Sequence, residues 1–292
     1  MPGLGETARG YHPVLIMVGS SPPVGAPTAA SPGYLRELWR RREFAWYMAS
    51  GNLKARNAST ALGLVWWVLN PLLLGLVYFL VFGVIFGGRR GDDFLEYLLS
   101  GMFVFHFTQL SMLGGANSIL SNAKLLVNLD MPRLILPIAN LIEAAIGFLA
   151  SIGVFFLIVM PASGVYPDVN LAFFLIPFTL QLFFNLGLGA MAARLTVPFR
   201  DLNNLIPYLS RIWLYLSPII WPLSFASNAG DVLTWIIEIN PMWSLLGLYR
   251  TALLGWPFEW ADLWATAAWT LGVLVIGVWS FVRYEGKMAR HL

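Results

Sequence analysis

The chain contains no cysteine and few charged residues for its length. Only 11% of the 292 residues are Asp, Glu, Lys or Arg, whereas soluble domains carry about 25%. The lack of cysteine excludes disulfide scaffolds, thiol catalysis and thiolate metal sites. The three histidines, His12, His106 and His291, are too far apart in sequence to form a metal-binding motif. Because 58% of the residues are hydrophobic, the composition indicates an integral membrane protein.

Long apolar runs predict an all-α membrane protein with six spans. A helix needs about 20 apolar residues to cross a hydrocarbon core of ~30 Å. The predicted spans are approximately residues 61–87, 95–119, 134–160, 171–193, 204–223 and 262–282. They form one membrane domain, residues 59–285, followed by a short tail, 286–292. Asn70–Pro71 predicts a kink in the first span, since proline removes a helix hydrogen bond.

The distribution of Lys and Arg predicts a multi-pass protein of the cytoplasmic membrane with both termini in the cytoplasm. Of the 18 Lys and Arg, only Arg89, Arg90 and Arg250 lie in outer loops, and Arg211 lies within the fifth span. The others lie on the cytoplasmic side: Arg9, Arg36, Arg40, Arg41, Arg42, Lys54, Arg56, Lys124, Arg133, Arg194, Arg200, Arg283, Lys287 and Arg290.

Two segments precede the first span. Residues 1–33 are rich in Pro, Ala, Gly and Ser and are predicted to be a disordered cytoplasmic leader. Residues 34–58 are predicted to form an amphipathic helix in the membrane interface, with a solvated leader helix as the alternative. The interfacial prediction rests on apolar residues that recur at roughly helical spacing between Arg and Lys: Leu35, Leu38, Trp39, Trp46 and Leu53.

The segment between the fifth and sixth spans, residues 224–260, contains two shorter apolar runs. These runs, about 232–239 and 242–254, are interrupted by Asn240–Pro241, and each is too short to cross a membrane. They are interpreted either as outer re-entrant helices near a translocation path or as an amphipathic outer cap.

The sequence contains no recognisable catalytic or nucleotide-binding motif. There is no G-x-x-x-x-G-K-[ST] loop, and the only Gly-Lys pair, Gly286–Lys287, is followed by Met. No G-x-S-x-G or H-E-x-x-H motif is present either. The chain is therefore predicted not to be an enzyme and not to hold a cofactor or metal of its own.

Two intramembrane charges and several aromatic residues are candidates for a translocation path. Glu143 in the third span and Arg211 in the fifth either pair to lock the bundle or line the path. Aromatic rings in the first two spans either pack between helices, face lipid or line the path, where sugar rings would stack on them. These candidates are Trp66, Tyr78, Phe79, Phe103, Phe105 and Phe107.

Four stretches resemble, in chain order, the type-2 ABC exporter permeases that move polysaccharides. They are "NLKARNASTALGLVWWVLNPLLLGLVYFLVFGVIF" (52–86), "LDMPRLILPIANLIEA" (129–144), "VPFRDLNNLIPYLSRIWLYLSPIIW" (197–221) and "INPMWSLLGLYRTALLG" (239–255). The resemblance is closest to the Wzm-like permeases for O-antigen, capsule and teichoic acid. The long leader and the preference for Arg hint at an actinobacterial galactan exporter.

This resemblance implies a homodimer of permease subunits, each docked on a separate subunit that binds ATP and Mg²⁺. It implies export of a polyprenyl-pyrophosphate-linked polysaccharide from the inner to the outer face of the membrane, and no nucleic acid partner. Interface cations matching the family pattern would hold the pyrophosphate: Arg40, Arg41, Lys54 and Arg56. Two cytoplasmic segments would contact the ATPase through Asn122, Lys124, Leu125, Leu129, Asp130, Arg133, Phe199, Arg200 and Asp201.

The first of these cytoplasmic segments is predicted to contain a short amphipathic helix. The helix would run from about Asn122 to Leu129, with Ser121 as its N-cap and Pro132 restricting the residue before it. A rigid helix fixed to two spans can carry a domain movement into the membrane.

Two other functions remain open from the sequence. One is a permease of the same superfamily that exports a lipid or a drug. The other is a membrane glycosyltransferase, which needs catalytic or metal-binding carboxylates near the membrane surface, and the sequence offers no Asp-x-Asp pair for this role.

Overall fold

The structure is a computed structural model that describes residues 33–59, 62–63, 65–85, 93–128, 131–164, 169–221 and 231–288. Within these residues the chain is helical and contains no strand. Its α-helices, in chain order, are α1 (Tyr34–Arg40), α2 (Arg42–Ser59), α3 (Val65–Tyr78), α4 (Phe94–Ser121), α5 (Ala123–Asn128), α6 (Ile135–Val154), α7 (Met160–Ser163), α8 (Leu175–Thr196), α9 (Leu202–Leu216), α10 (Asp231–Glu238), α11 (Pro241–Leu254) and α12 (Trp260–Met288).

The helices confirm an all-helical, multi-pass membrane protein. Four helical segments are long and apolar enough to cross a membrane: Val65–Ile85, Ile135–Val159, Ala172–Thr196 and Trp260–Met288. They correspond to the predicted first, third, fourth and sixth spans. The predicted second span is α4, whose 28 residues rise about 42 Å at 1.5 Å per residue. The predicted fifth span begins as α9, which has 15 residues.

Helix α4 forms the centre of the bundle. It packs against α3, α6, α8, α9 and α11, because apolar side chains surround it on nearly all sides, as in helices buried within large folds. Phe107 stacks on Phe148 of α6 with ring centroids 4.9 Å apart. Gln181 of α8 donates through Nε2 to the Val104 carbonyl at 2.8 Å and to the Thr108 hydroxyl at 2.9 Å. The core of the bundle is thus apolar with a few satisfied polar groups.

Glycines allow α8 and α12 to pack with their backbones in contact. A Cβ on Gly187 of α8 would meet the backbone of Val273 and Leu274, and a Cβ on Gly277 of α12 would meet the carbonyl of Gly187. Small residues at such crossings are how membrane helices approach closely. This crossing holds the last helix against the rest of the bundle.

We expect Gly277→Ala to destabilise the protein although alanine is the better helix former. The added methyl group must push α8 and α12 apart, and overpacking of this kind costs about 1–3 kcal/mol. Gly272 lies on the same helix with open space around it, so Gly272→Ala is the matched control and should leave stability unchanged or raise it by up to about 1 kcal/mol. The melting temperature in detergent checks this, and equal behaviour of the two variants would contradict the close crossing.

The structure departs from the sequence predictions at several helix boundaries. The predicted interface helix is two helices, α1 and α2, separated at Arg41. Pro71 lies inside α3, and the irregular part of this segment is instead the π-helical turn Phe79–Ile85. Ser121 does not begin α5, since it is the last residue of α4 and its hydroxyl donates to the Asn117 carbonyl at 2.7 Å. The predicted leader, apart from Gly33, lies outside the described residues.

Candidate functional site

A groove lined by aromatic and polar side chains lies between α3, α4 and α9. Its volume is about 370 Å³. The hydroxyls of Tyr78 and Tyr215 are 3.1 Å apart, and their rings meet edge to face with centroids 6.4 Å apart. We call this the aromatic groove, and it is lined by Asn70, Pro71, Leu74, Tyr78, Met102, Phe105, His106, Gln109, Arg211, Leu214 and Tyr215.

Two of the helices around the aromatic groove leave much apolar surface uncovered. Helix α9 buries Ser210 and Leu214 and exposes its other side, and α3 is largely exposed. Continuous apolar surface of this kind marks a contact with lipid or protein. Arg211 lies on the exposed side of α9, and a cation facing hydrocarbon is costly. This face therefore suits a subunit contact or a polar path better than a plain lipid contact.

The chemistry of the aromatic groove suits a ligand with both flat apolar faces and hydroxyl groups. The rings of Tyr78 and Tyr215 offer apolar faces on which a flat ligand can pack, and their hydroxyls offer hydrogen bonds that orient it. Polar groups stand among them, including Gln109, whose Nε2 donates to the Ser210 hydroxyl at 3.0 Å. A carbohydrate ring presents C–H faces and hydroxyls together, which an alkyl chain does not.

The predicted path-lining aromatics occupy four different environments. Tyr78 and Phe105 line the aromatic groove, and Trp66 is exposed on α3. Phe79 stacks on Phe94, with ring centroids 6.3 Å apart. The remaining two, Phe103 and Phe107, are buried in the core against Phe155 and Phe148. Their positions make them packing residues within the protomer.

The two predicted intramembrane charges do not form a salt bridge with each other. Glu143 is buried on α6, and its Oε2 accepts a hydrogen bond from Asn52 Nδ2 of α2 at 3.2 Å. Arg211 lines the aromatic groove, whereas Glu143 lines a different cavity. Glu143 thus ties α2 to α6, and Arg211 is placed where it can face a ligand or a second subunit.

Two of the four predicted interface cations pair with the same carboxylate. Arg40 and Arg41 both pair with Glu37, at 2.8 Å and 2.6 Å, and the hydrogen bond from Arg41 lowers the pKa of Glu37. A guanidinium carries five N–H donors, so both arginines keep donors for another anion. Lys54 is exposed on α2, and the side chain of Arg56 lies outside the described residues.

Several aromatic side chains of α1 and α2 are exposed. Leu35, Trp39, Trp46 and Tyr47 are strongly exposed, whereas Ala45, Ala49 and Leu53 are buried. The guanidinium of Arg42 lies over the Trp39 ring, 5.1 Å from its centroid. One side of α2 packs on α6, and the other offers tryptophans of the kind found at headgroup depth.

The first predicted coupling segment, residues 121–133, follows the end of α4 and contains α5. The amide of Asn122 donates to the Ser118 carbonyl at 2.8 Å, which closes the end of α4. Lys124 and Leu125 lie on the first turn of α5, and Lys124 is exposed. Leu129 and Asp130 lie outside the described residues.

Arg133 is held by the end of α12 through Glu285. Its backbone N–H donates to Glu285 Oε1 at 2.5 Å, and its Nη1 donates to the Glu285 carbonyl at 2.8 Å. The hydroxyl of Tyr34 in α1 donates to the other carboxylate oxygen at 2.7 Å, and burial, with Glu285 beside it, raises the pKa of Tyr34 above its usual range. Glu285 therefore joins the coupling segment, the start of α1 and the end of α12.

We expect Glu285→Ala to loosen α1 from the bundle. The change removes the acceptors for both Tyr34 and Arg133, each bond contributing about 1 kcal/mol, so amide exchange in residues 34–40 should accelerate about tenfold or more. Tyr34→Phe should have a smaller effect. Hydrogen–deuterium exchange measures both, with Glu238→Ala, at an exposed position of α10, as the control. Unchanged exchange in Glu285→Ala would contradict the three-way contact.

The second predicted coupling segment is an exposed turn between α8 and α9. Phe199 is 65% exposed, and Arg200 and Asp201 beside it are exposed as well. The turn borders a surface cleft of about 700 Å³, which Tyr208 also lines. An exposed phenylalanine followed by Arg200 and Asp201 is the pattern expected of a contact with another protein.

Sequence reasoning missed several residues of these sites. Tyr215 lies four residues after Arg211, and this helical spacing already placed both side chains on one face of α9. Tyr34 and Glu285 gave no such signal, because 251 positions separate them in the sequence.

Comparison with known proteins gives one family and several relatives. The family described as "ABC-2 type transporter" matches residues 44–254. The O-antigen export system permease protein RfbA of Myxococcus xanthus is 29% identical over 216 residues, which cover 74% of this chain and 82% of that protein. Two proteins of the same name from Klebsiella pneumoniae are each 22% identical, over 237 and 239 residues, covering 80% of this chain and 90% of theirs.

Proposed function

Because the chain belongs to the ABC-2 type transporter family, we propose that it is the membrane-spanning permease subunit of an ATP-driven polysaccharide exporter. The names of the relatives in Myxococcus and Klebsiella, which are O-antigen export permeases, support a polysaccharide as the cargo. The chain itself supplies the path and not the chemistry of ATP hydrolysis, which takes place in a partner ATP-binding subunit.

The observation that carries this proposal is the aromatic groove. Its tyrosine pair, its neighbouring Arg211 and the uncovered faces of α3 and α9 form one wall of a path. A second copy of the chain, placed with the same face opposite, would complete a channel lined with rings and hydroxyls. A glycan could slide along such a lining, because stacking on aromatic faces tolerates many sugar positions. We therefore assign the active form as a homodimer.

The cargo in this proposal is linked to a polyprenyl pyrophosphate. The interface helices α1 and α2 support this assignment, because they combine exposed tryptophans with Arg40, Arg41, Lys54 and Arg56. Cations at headgroup depth attract a pyrophosphate, and planar guanidinium groups bind its oxygens in pairs. Glu37 holds two of the arginines in place, so they are oriented before the anion arrives.

The proposed topology has six spans with both termini in the cytoplasm of the inner membrane. The four apolar helical segments are joined by α4 as the second span and by α9, continued by residues 217–221, as the fifth. Helices α10 and α11 then form an outer re-entrant pair, which the buried side chains of α11 support. The Lys and Arg distribution gives the orientation.

Movement of the partner ATPase would reach the membrane through two contacts. The first is the segment 121–133, including Asn122, Lys124, Leu125, Leu129, Asp130 and Arg133, and the second is the turn with Phe199, Arg200 and Asp201. ATP and Mg²⁺ would bind to the partner, since this sequence contains no phosphate-binding loop.

ATP hydrolysis by the assembled complex tests the proposal. The permease and the partner ATPase are purified together in lipid nanodiscs, and hydrolysis is measured with the lipid-linked glycan, with undecaprenyl phosphate alone and with phospholipid alone. Stimulation by the lipid-linked glycan supports glycan export. Stimulation by phospholipid alone would instead support the lipid exporter, and failure of the two subunits to associate would refute the permease assignment.

We expect Tyr215→Ala to reduce glycan export about tenfold, because an aromatic contact contributes about 0.5–1.5 kcal/mol beyond its buried area. Ile212→Ala is the matched control, since Ile212 is exposed on α9 but does not line the aromatic groove. Surface glycan on cells carrying each variant, normalised to permease abundance, provides the measurement. Equal losses in the two variants would contradict a path through the aromatic groove.

A further inference from the structure

A second cavity, separate from the aromatic groove, lies between α2, α3, α4 and α6. Its volume is about 500 Å³, within the range of pockets that hold small ligands, roughly 300–1,000 Å³. We call it the amide pocket because four asparagines stand in its wall. It is lined by Asn52, Ala55, Trp67, Leu110, Leu113, Gly114, Asn117, Ser121, Asn122, Asn140, Glu143 and Ala144.

The side-chain amides of this pocket present their oxygens to a ligand. Asn117 and Asn140 donate through Nδ2 to the carbonyls of Leu113 and Leu136 in their own helices, both at 3.0 Å, and Asn122 does the same with Ser118. A carbonyl can accept only from the nitrogen end of an amide, so these bonds fix the orientation of each side chain. Three amide oxygens therefore remain as acceptors, and Asn117 and Asn140 each keep a second N–H that can donate.

One of these oxygens is held towards the facing helix. Asn140 Oδ1 of α6 lies beside Gly114 of α4, where a Cβ would come within 3.2 Å of it. The glycine thus lets Asn140 lie close against α4. The carboxylate of Glu143 adds further acceptor capacity on the same helix and is bonded to Asn52.

A wall that holds several acceptors and a few N–H donors favours a ligand with hydroxyl groups, which both donate and accept. The lining contains a carboxylate and no Lys or Arg, so it would repel a phosphate or pyrophosphate group. Trp67, Leu110, Leu113 and Ala144 make the rest of the wall apolar, and Trp67 offers a flat ring. A sugar ring matches both halves, because its hydroxyls donate to the oxygens and its C–H face packs on the indole.

We infer that the amide pocket is a binding subsite for one sugar unit of the glycan on the cytoplasmic side. This inference rests on the proposed function, since only a glycan exporter presents such a ligand. A sugar seated here contacts α2 of the interface region and the end of α4, where Ser121 and Asn122 adjoin α5. Binding of the glycan therefore contacts the residues that lead into the first coupling segment. A sugar with free hydroxyls should bind more tightly than one whose hydroxyls are blocked.

The test uses the permease–ATPase complex in nanodiscs and variants that remove the acceptors. Asn117→Leu and Asn140→Leu delete an amide oxygen, and neither leaves an orphaned partner because the helix carbonyls keep their backbone bonds. Asn117→Gln keeps an amide group at this exposed position. Ser118→Ala is the control for packing, because Ser118 is buried beside the pocket but does not line it. Size-exclusion profiles and melting temperatures confirm that each variant is folded.

Two readouts are compared. The first is ATP hydrolysis titrated with the lipid-linked glycan, and the second is saturation-transfer NMR with oligosaccharide released from the cells' own surface polysaccharide by mild acid. In the double variant Asn117→Leu/Asn140→Leu, the half-saturating glycan concentration should rise about tenfold, as expected for the loss of one or two hydrogen bonds. The saturation-transfer signal should fall as well, Asn117→Gln should lose less affinity than Asn117→Leu, and Ser118→Ala, outside the pocket, should retain wild-type behaviour.

The outcomes separate this inference from the proposed function. A wild-type complex that responds to the glycan, with a double variant that responds equally, overturns the sugar subsite alone. A wild-type complex that ignores the glycan overturns the proposed function and the subsite with it. Thermal protection of the wild type by Na⁺ or Mg²⁺ that is lost in Glu143→Gln, without sugar binding, overturns the inference in favour of a cation site.

Discussion

Replacing Phe199 with aspartate is expected to abolish ATP-driven export while leaving the permease folded. Phe199 is 65% exposed, so the ring contributes little to the stability of the folded permease. Burying a phenylalanine against a partner contributes about 1.5–3 kcal/mol, and the introduced carboxylate would have to be desolvated in the same contact. We therefore expect association with the ATPase to weaken more than tenfold and hydrolysis to lose its response to the glycan.

Phe199→Leu is the matched variant for this prediction, because it keeps an apolar side chain at the same position. Co-purification of the two subunits and the rate of ATP hydrolysis measure the contact, and the melting temperature of the isolated permease reports its fold. If Phe199→Asp assembles with the ATPase and hydrolyses ATP as the wild type does, the turn at residues 198–201 is not a coupling contact.

Tyr97→Leu is expected to produce the largest loss of stability. Arg250 of α11 is only 1% exposed, and its guanidinium lies over the Tyr97 ring, 3.7 Å from the centroid. It also lies near Trp256, and its Nη2 donates to the Pro218 carbonyl. A desolvated cation–π contact contributes about 2 kcal/mol or more, and this contribution is lost together with the packing of the Tyr97 ring. This contact fixes α11 against the N-terminal part of α4. The coupling segment follows the opposite, C-terminal end of that helix.

Two further variants separate the ring from the hydroxyl. The Tyr97 hydroxyl lies 2.8 Å from the carbonyls of both Pro218 and Trp221, and its single proton serves one of them at a time. Tyr97→Phe should therefore cost only about 1 kcal/mol. Adding Arg250→Met to Tyr97→Leu should recover stability, because the uncompensated charge is removed. Equal melting temperatures for Tyr97→Phe and Tyr97→Leu would contradict the role of the ring.

The long helices could be predicted closely because hydropathy alone specifies them. The predicted third span, 134–160, corresponds to the helical segment Ile135–Val159, and the second, 95–119, to Phe94–Ser121. The π-helical turn Phe79–Ile85 was not predicted, since the apolar pattern is the same for α- and π-helical turns. The break at Arg41 was missed for a related reason, because no proline or glycine marks it.

The sites were predicted less completely than the helices. Individual residues such as Tyr78, Phe105 and Arg211 could be singled out as aromatic or charged residues in apolar runs, and all three line the aromatic groove. What hydropathy does not encode is which side of a helix faces its neighbours, so Phe103 and Phe107 could not be told from groove residues. The amide pocket is formed by residues from four helices, so no local sequence pattern predicts it.

Transport of a labelled lipid-linked glycan across the membrane is the most direct test of the proposed function. The permease and its partner ATPase are reconstituted in vesicles with the ATPase facing outwards, and the glycan is labelled so that a membrane-impermeant glycosidase removes the label from the outside only. We expect label to become protected over time with ATP and to remain accessible without it or with Phe199→Asp. Label that stays accessible with ATP, or becomes protected at the same rate without it, would contradict ATP-driven glycan export by this permease.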